Sequence, residues 1–155
     1  MLQIHYLAEQ PDWVEELASW TYQEWGHFDP TNSLQQSITR FRDRLNRKKL
    51  PLTFVATMED RPVGCISLKH DGMSIRPQFS PWIGSMFVLS TRRRQGIGSA
   101  LLVRAIIEAK TLGFEKLYLW TEKAFDFYGL HGFITIERIK YLSQDARLMV
   151  KQLNA

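Results

Sequence analysis

The chain has 155 residues, 45% hydrophobic and 23% charged, with a formal net charge of +4. That composition excludes a disordered or fibrous chain and suits one globular domain spanning residues 1–155. No stretch reaches the roughly 18 apolar residues of a membrane span, the N-terminus lacks a secretory pattern, and the single cysteine, Cys65, has no partner for an intramolecular disulfide, so a cytoplasmic protein is expected.

Residues Gln3–Leu7 alternate weakly and read as a first strand. Pro11-Asp12 then opens a helical pattern in which Trp13, Leu17, Trp20 and Trp25 lie on or near one face, broken at Gly26–Pro30. Thr31 or Asn32 is expected to cap a second helix, with Leu34, Ile38, Phe41 and Leu45 as its apolar stripe and the basic residues between Arg40 and Lys49 mainly elsewhere. From Pro51 the period changes to that of strands. Thr53–Met58 and Val63–Lys69 form a plausible hairpin through Glu59–Pro62, and Cys65 in its apolar run V-G-C-I-S-L reads as a buried thiol.

After a loop over Gly72–Pro81, Trp82–Val88 reads as a strand apolar on both faces. Helical spacing resumes at Ile97 and continues through Leu101, Leu102, Ala105, Ile106, Ala109 and Leu112, with Gly113 as the stop. A short strand, Lys116–Thr121, follows. Strand, loop, helix and strand in that order require a crossover, so Trp82–Val88 and Lys116–Thr121 are expected to be parallel neighbours. Glu122–Leu130 reads as a short helix, His131-Gly132 as a turn, and Phe133–Arg138 and Ala146–Leu153 as closing strands. The expected fold class is α/β with a mixed sheet.

The basic excess sits in Arg40–Lys49 and Arg92–Arg94, which favours anionic ligands without choosing between nucleic acid and a phosphorylated metabolite. The second run belongs to S-T-R-R-R-Q-G-I-G-S-A-L-L, Ser90–Leu102, at the start of the long helix and beyond the carboxyl end of a strand. A helix N-terminus offers unpaired N–H groups and the positive end of its dipole. Gly96 and Gly98 lack Cβ atoms and let the backbone approach a phosphate closely, while the arginines add charge-assisted bonds. The loop has no Gly-Lys-Ser or Gly-Lys-Thr, so it is not a Walker A loop, and its position is not that of a Rossmann fingerprint. A phosphate cradle and a solvated arginine run that caps an ordinary helix are both open on spacing alone.

The run Arg93, Arg94, Gln95, Gly96, Ile97, Gly98 resembles the signature of the GNAT superfamily of acetyl-CoA-dependent N-acetyltransferases. The strand W-I-G-S-M-F-V before it, the helix S-A-L-L-V-R-A after it, the strand K-L-Y-L-W and the segment A-F-D-F-Y-G-L-H-G-F stand in the family's order, and the similarity runs from Leu52 to Leu153. The resemblance implies a single-domain mixed, mostly antiparallel sheet splayed between two parallel strands and flanked by helices. It implies acetyl-CoA as co-substrate, an amine acceptor as the other partner, and no metal, nucleic acid or membrane; a homodimer is open. The main chain of Met86, Phe87 and Val88 would contact the pantetheine arm and acetyl group, and Arg93, Arg94, Gln95, Gly96, Ile97, Gly98 and Ser99 would hold the pyrophosphate, with Arg92 outside the cradle. Tyr128 matches the family tyrosine and is the expected general acid.

Two departures bear on function. Trp82–Val88 contains no carboxylate or histidine where some relatives carry one, which leaves Glu122, Glu24, His27 and His70 as candidate bases, with Glu122 preferred. Thr121 stands where many relatives place an asparagine, with fewer hydrogen-bonding options toward the cofactor. The acceptor is expected between Trp20–Pro30, with Glu24, Trp25 and His27 as contacts, and Lys140–Asp145. The alternatives are a non-catalytic acyl-CoA-binding regulatory module and a nucleic-acid-binding protein.

Overall fold

The structure is a computed structural model and describes residues 1–154. Strand β1 (Gln3–Tyr6) leads through two short 3-10 turns, the second begun by Pro11, into helix α1 (Val14–Trp25). Val14, Leu17, Ala18 and Thr21 recur at three and four residues, so one face of α1 is buried. Helix α2 spans Leu34–Arg42 and is capped by Ser33, whose Oγ accepts from the Gln36 N–H at 3.1 Å. This corrects the expectation of Thr31 or Asn32. The Thr31 N–H and hydroxyl both donate to Asp29 Oδ1, and Asn32 Oδ1 accepts from Ser33 N–H and Arg40, so neither is free to cap. The helix also stops before Leu45, and Arg44, in a run expected to lie mainly off the apolar stripe, is buried at 5% exposure.

Strands β2 (Leu52–Met58) and β3 (Arg61–Lys69) form the expected hairpin, with Glu59 and Asp60 both at positive φ in its two-residue turn. Strand β4 (Trp82–Val88) pairs antiparallel with β3, and helix α3 (Ile97–Thr111) returns the chain to β5 (Lys116–Thr121). Helix α4 covers Phe125–Leu130, shorter than expected because Thr121–Ala124 form a turn. Strands β6 (Ile134–Tyr141) and β7 (Gln144–Gln152) are longer than the sequence suggested. Their hairpin turns at Leu142 and Ser143, both at positive φ without a glycine to mark the place.

The seven strands are ordered β1-β2-β3-β4-β5-β7-β6, and every neighbouring pair is antiparallel except β4 with β5. Period-two alternation sends Phe54 and Ile66 to the face covered by α3, and Val55 and Cys65 to the face covered by α1 and α2. Ile97, Leu101, Leu102, Ala105 and Ala109 seal the first face; Leu7, Leu17, Ala18 and Phe41 seal the second. Each fully buried leucine or phenylalanine contributes about 1.5–3 kcal/mol, so the sheet is firmly clamped on both sides. That clamping fixes the one place where two neighbouring strands separate.

Candidate active site

β4 and β5 pair only at Trp82 and Tyr118, where the Tyr118 N–H donates to the Pro81 carbonyl at 2.9 Å. Beyond that bridge they diverge, held apart because each is fixed to its other neighbour: β4 to β3 and β5 to β7. The opening is a cleft of about 1240 Å³ with Ile83–Val88 on one wall and Leu119–Thr121 on the other. Backbone groups of these strands that face the opening lack a sheet partner and suit an extended, amide-bearing ligand.

At one end the cleft meets the N-terminus of α3. Gly96 is the N-cap at φ +80°, a conformation glycine adopts without strain, and Arg94, two residues earlier, is also left-handed. A Cβ at Gly98 would lie 3.0 Å from Met86 Cε, so a bare backbone is what keeps the approach open. Arg93 and Arg94 border this end, and so does Arg92, contrary to the expectation that it lay outside. Arg93 Nε donates to the Val88 carbonyl at 3.1 Å, tying the loop to the strand. Gly96, Ile97, Gly98 and Ser99 line the cleft, and Gln95 does not. Ser99 Oγ lies 3.2 Å from His131 Nε2, a contact that joins α3 to the end of α4.

The sequence-derived candidates fall into two groups. Tyr128, Glu122, Thr121, Met86, Phe87, Val88, Glu24 and Trp25 line the cleft; His27 and His70 are exposed and do not. Tyr128 is 8% exposed, its ring set edgewise to Phe127 and Phe133, and burial, with the charge of Glu122 second, pushes its hydroxyl up to about 12. It therefore stays protonated as a hydrogen-bond donor. Thr121 Oγ1 accepts from the Ala124 N–H at 2.9 Å and so shapes the turn into α4, which leaves only its O–H for a ligand. Trp20 stacks on Phe87 at 5.7 Å and Trp25 meets the same ring edge-on at 6.2 Å, so these rings also buttress the β4 wall. Tyr141 and Leu142, from the β6–β7 hairpin, close the far side.

The two basic runs do not make one surface. Arg44 is buried, donates to Ser67 Oγ and Ser85 Oγ at 3.0 Å each, and lies 4.6 Å from the Phe41 ring centroid. Arg42 pairs with Glu15 at 3.5 Å, and Arg40 turns into the cleft. A continuous phosphate-tracking stripe is thus not formed from them. Burial lowers Arg44 to about 10, and no carboxylate pairs with it among the described residues. Cys65 is fully buried, and burial pushes its thiol up to about 12, which makes it a packing group rather than a nucleophile.

Several lining residues went unrecognised in the sequence, notably Arg40, Lys69 and Trp120. For Lys69 a signal existed: Cys65, Ser67 and Lys69 share one face of β3 by period two, the face that α1 and α2 cover. A lysine that ends a strand nevertheless reads as solvated. Among the described residues there is no cluster of three or more His, Cys, Asp or Glu suited to a metal, and no helix is long and apolar enough to cross a membrane.

The profile of the Acetyltransferase (GNAT) family matches residues 11–133, and the chain belongs to this family. It is an acetyl-CoA-dependent N-acetyltransferase by class. No curated protein matches the chain. Among solved structures it is similar to an aminoglycoside 6'-N-acetyltransferase complexed with coenzyme A (16% identity, 99% of this chain and 98% of that one, TM-score 0.77). It is also similar to the NatC complex bound to Gag peptide and CoA (22%, 99% and 99%, 0.76) and to a GNAT-family acetyltransferase from Streptococcus pneumoniae (18%, 99% and 100%, 0.72). These likenesses establish the shared fold.

Proposed function

We propose that the chain binds acetyl-CoA along the β4–β5 opening and passes the acetyl group directly to a primary amine of a small molecule or peptide held in the same cleft. The observation that carries this reading is the single bridge at Trp82 and Tyr118, beyond which the opening runs to the glycine-bearing N-terminus of α3. The pyrophosphate would rest on the first-turn amides of α3 with Arg93 and Arg94 beside it, and the pantetheine arm on the main chain of Met86, Phe87 and Val88. Acetyl-CoA supplies an activated thioester. A backbone amide near Phe87 or Val88 stabilises the oxyanion formed when the amine attacks the thioester carbonyl.

Tyr128 faces the leaving sulfur in this reading. A phenol held near 12 gives up its proton to a thiolate of ordinary basicity only uphill, so Tyr128 acts by hydrogen bonding to the sulfur, and solvent supplies the proton. Glu122 and Glu24 attract the acceptor ammonium, and Trp25 provides an apolar wall beside it. The buried single thiol supports a reducing, cytoplasmic setting. Two measurements test the function: acetyl-CoA should raise the melting temperature at millimolar ligand, and primary amines should release thiol from it. A thermal shift without turnover of any amine would instead support a non-catalytic acyl-CoA-binding module.

A further inference from the structure

Lys69 ends β3 opposite Trp82, where β4 last touches β5. Its chain lies across Gly84: a Cβ there would come within 2.7 Å of Lys69 Cε and 2.9 Å of Nζ. Glycine at this position therefore makes room for the lysine. No hydrogen bond or ion pair holds the amine among the described residues. Nor is any enclosed side-chain nitrogen or oxygen there left without a partner, so the Lys69 amine must meet solvent, and the cavity its residue borders is the active cleft. From Gly84 to Val88 the strand covers about 13 Å, which sets Lys69 at the end away from the phosphate cradle, where the acyl end of an extended arm would lie.

We propose that Lys69 is the group that accepts the proton of the acceptor ammonium at the apex of the cleft. The proposal rests on the acetyl-transfer reading above. The ammonium passes one proton to the neutral Lys69 amine; the freed nitrogen lone pair attacks the thioester carbonyl and forms the C–N bond. Collapse breaks the C–S bond and returns the electron pair to sulfur. The nitrogen then loses its second proton to solvent, and the thiolate gains one from solvent.

The surroundings make this lysine a weaker base than a solvated one. Burial, then the like charges of Arg44 and Arg40, hold it down to about 7, against the opposing pull of Asp71. α1 contributes Glu24 to the same cleft, and the end of β6 contributes Tyr141; β4 presents only Gly84 and Ser85 at this point, neither of them titratable. An amine near neutrality is matched to proton abstraction at physiological pH.

The test uses the full chain and acetyl-CoA with a panel of amines: spermidine, kanamycin, phenethylamine and a glycine-initiated hexapeptide. With the amine turned over fastest, kcat/KM should rise along an acid limb that bends near pH 7. Lys69→Met should lose that bend and fall roughly 100-fold at pH 7. The gap should narrow toward pH 10, where free amine forms unaided, while the acetyl-CoA thermal shift persists in the variant. Lys69→Arg should fall likewise, because guanidinium keeps its proton. A variant that keeps the bend, or falls by one factor at every pH, overturns the proposal and leaves the acetyltransferase reading standing. If the wild-type chain turns over none of the amines, both are overturned.

Discussion

Lys69 also sets how stability depends on pH. Its value in the folded chain, about 7, lies below that of a free lysine side chain, so between the two the unfolded state binds more protons. The charged lysine then imposes its full penalty below pH 7, and stability must rise as pH increases from 7 upward. Cys65 and Tyr128, both raised by burial, act with the opposite sign, but only once their unfolded forms ionise near pH 9 and above. Arg44, lowered to about 10, acts higher still. The clean window is therefore pH 7 to 8.5. With folded and unfolded values of about 7 and 10.4, integration over that window gives on the order of 1–2 kcal/mol of added stability. In urea this moves the midpoint by on the order of 0.5–1.5 M. Equilibrium urea unfolding at the two pH values, for the wild type and Lys69→Met, reads it directly. The variant should show no rise and should be the more stable protein at pH 7. A flat wild-type response, or an equal rise in Lys69→Met, would refute the account of Lys69 as a half-buried amine beside an unpaired arginine.

Other substitutions probe the cofactor end and the leaving group. Gly98→Val should fold and yet lose the acetyl-CoA thermal shift, since even its Cβ would press on Met86 Cε at 3.0 Å and its methyl groups would crowd the cradle. Gly96→Ala meets no atom within 4 Å but must hold φ at +80°, so about 1–2 kcal/mol of stability should be lost, read as a melting point lower by roughly 2–8 °C. Tyr128→Phe should keep acetyl-CoA affinity and lose about 10–100-fold in kcat, the equivalent of one hydrogen bond to a charged sulfur; an unchanged kcat would remove Tyr128 from the reaction. Arg44→Met takes a like charge away from Lys69 and should shift the acid limb of the rate profile to higher pH.

Local patterns announced much of this protein. The apolar stripe from Ile97 to Leu112, the stop at Gly113 and the alternation in β2 and β3 depend on neighbours a few residues away, so they can be read before any long-range contact exists. The glycine-bearing start of α3, proposed as the phosphate cradle, was legible for the same reason: the N-terminus of α3 and its glycines are one continuous segment. Short-range competition between polar side chains already blurred the reading, as at Ser33, which caps α2 because Asp29 and Arg40 engage its rivals. The β6–β7 turn stayed hidden because Leu142 and Ser143 adopt positive φ with no sequence mark.

The acceptor end belongs to the tertiary structure. The cleft exists because β4 and β5 are each fixed to a different neighbour and share only one bridge, a property of sheet order rather than of either strand. Lys69, Gly84 and Arg44 are separated by 15 residues or more and become one site only when β3, β4 and the segment after α2 pack together. The identity and spacing of the groups proposed to hold phosphate were set by the sequence alone, because those groups are neighbours along the chain. Burial and the field of a distant arginine weaken the Lys69 amine as a base, and both arise only from folding.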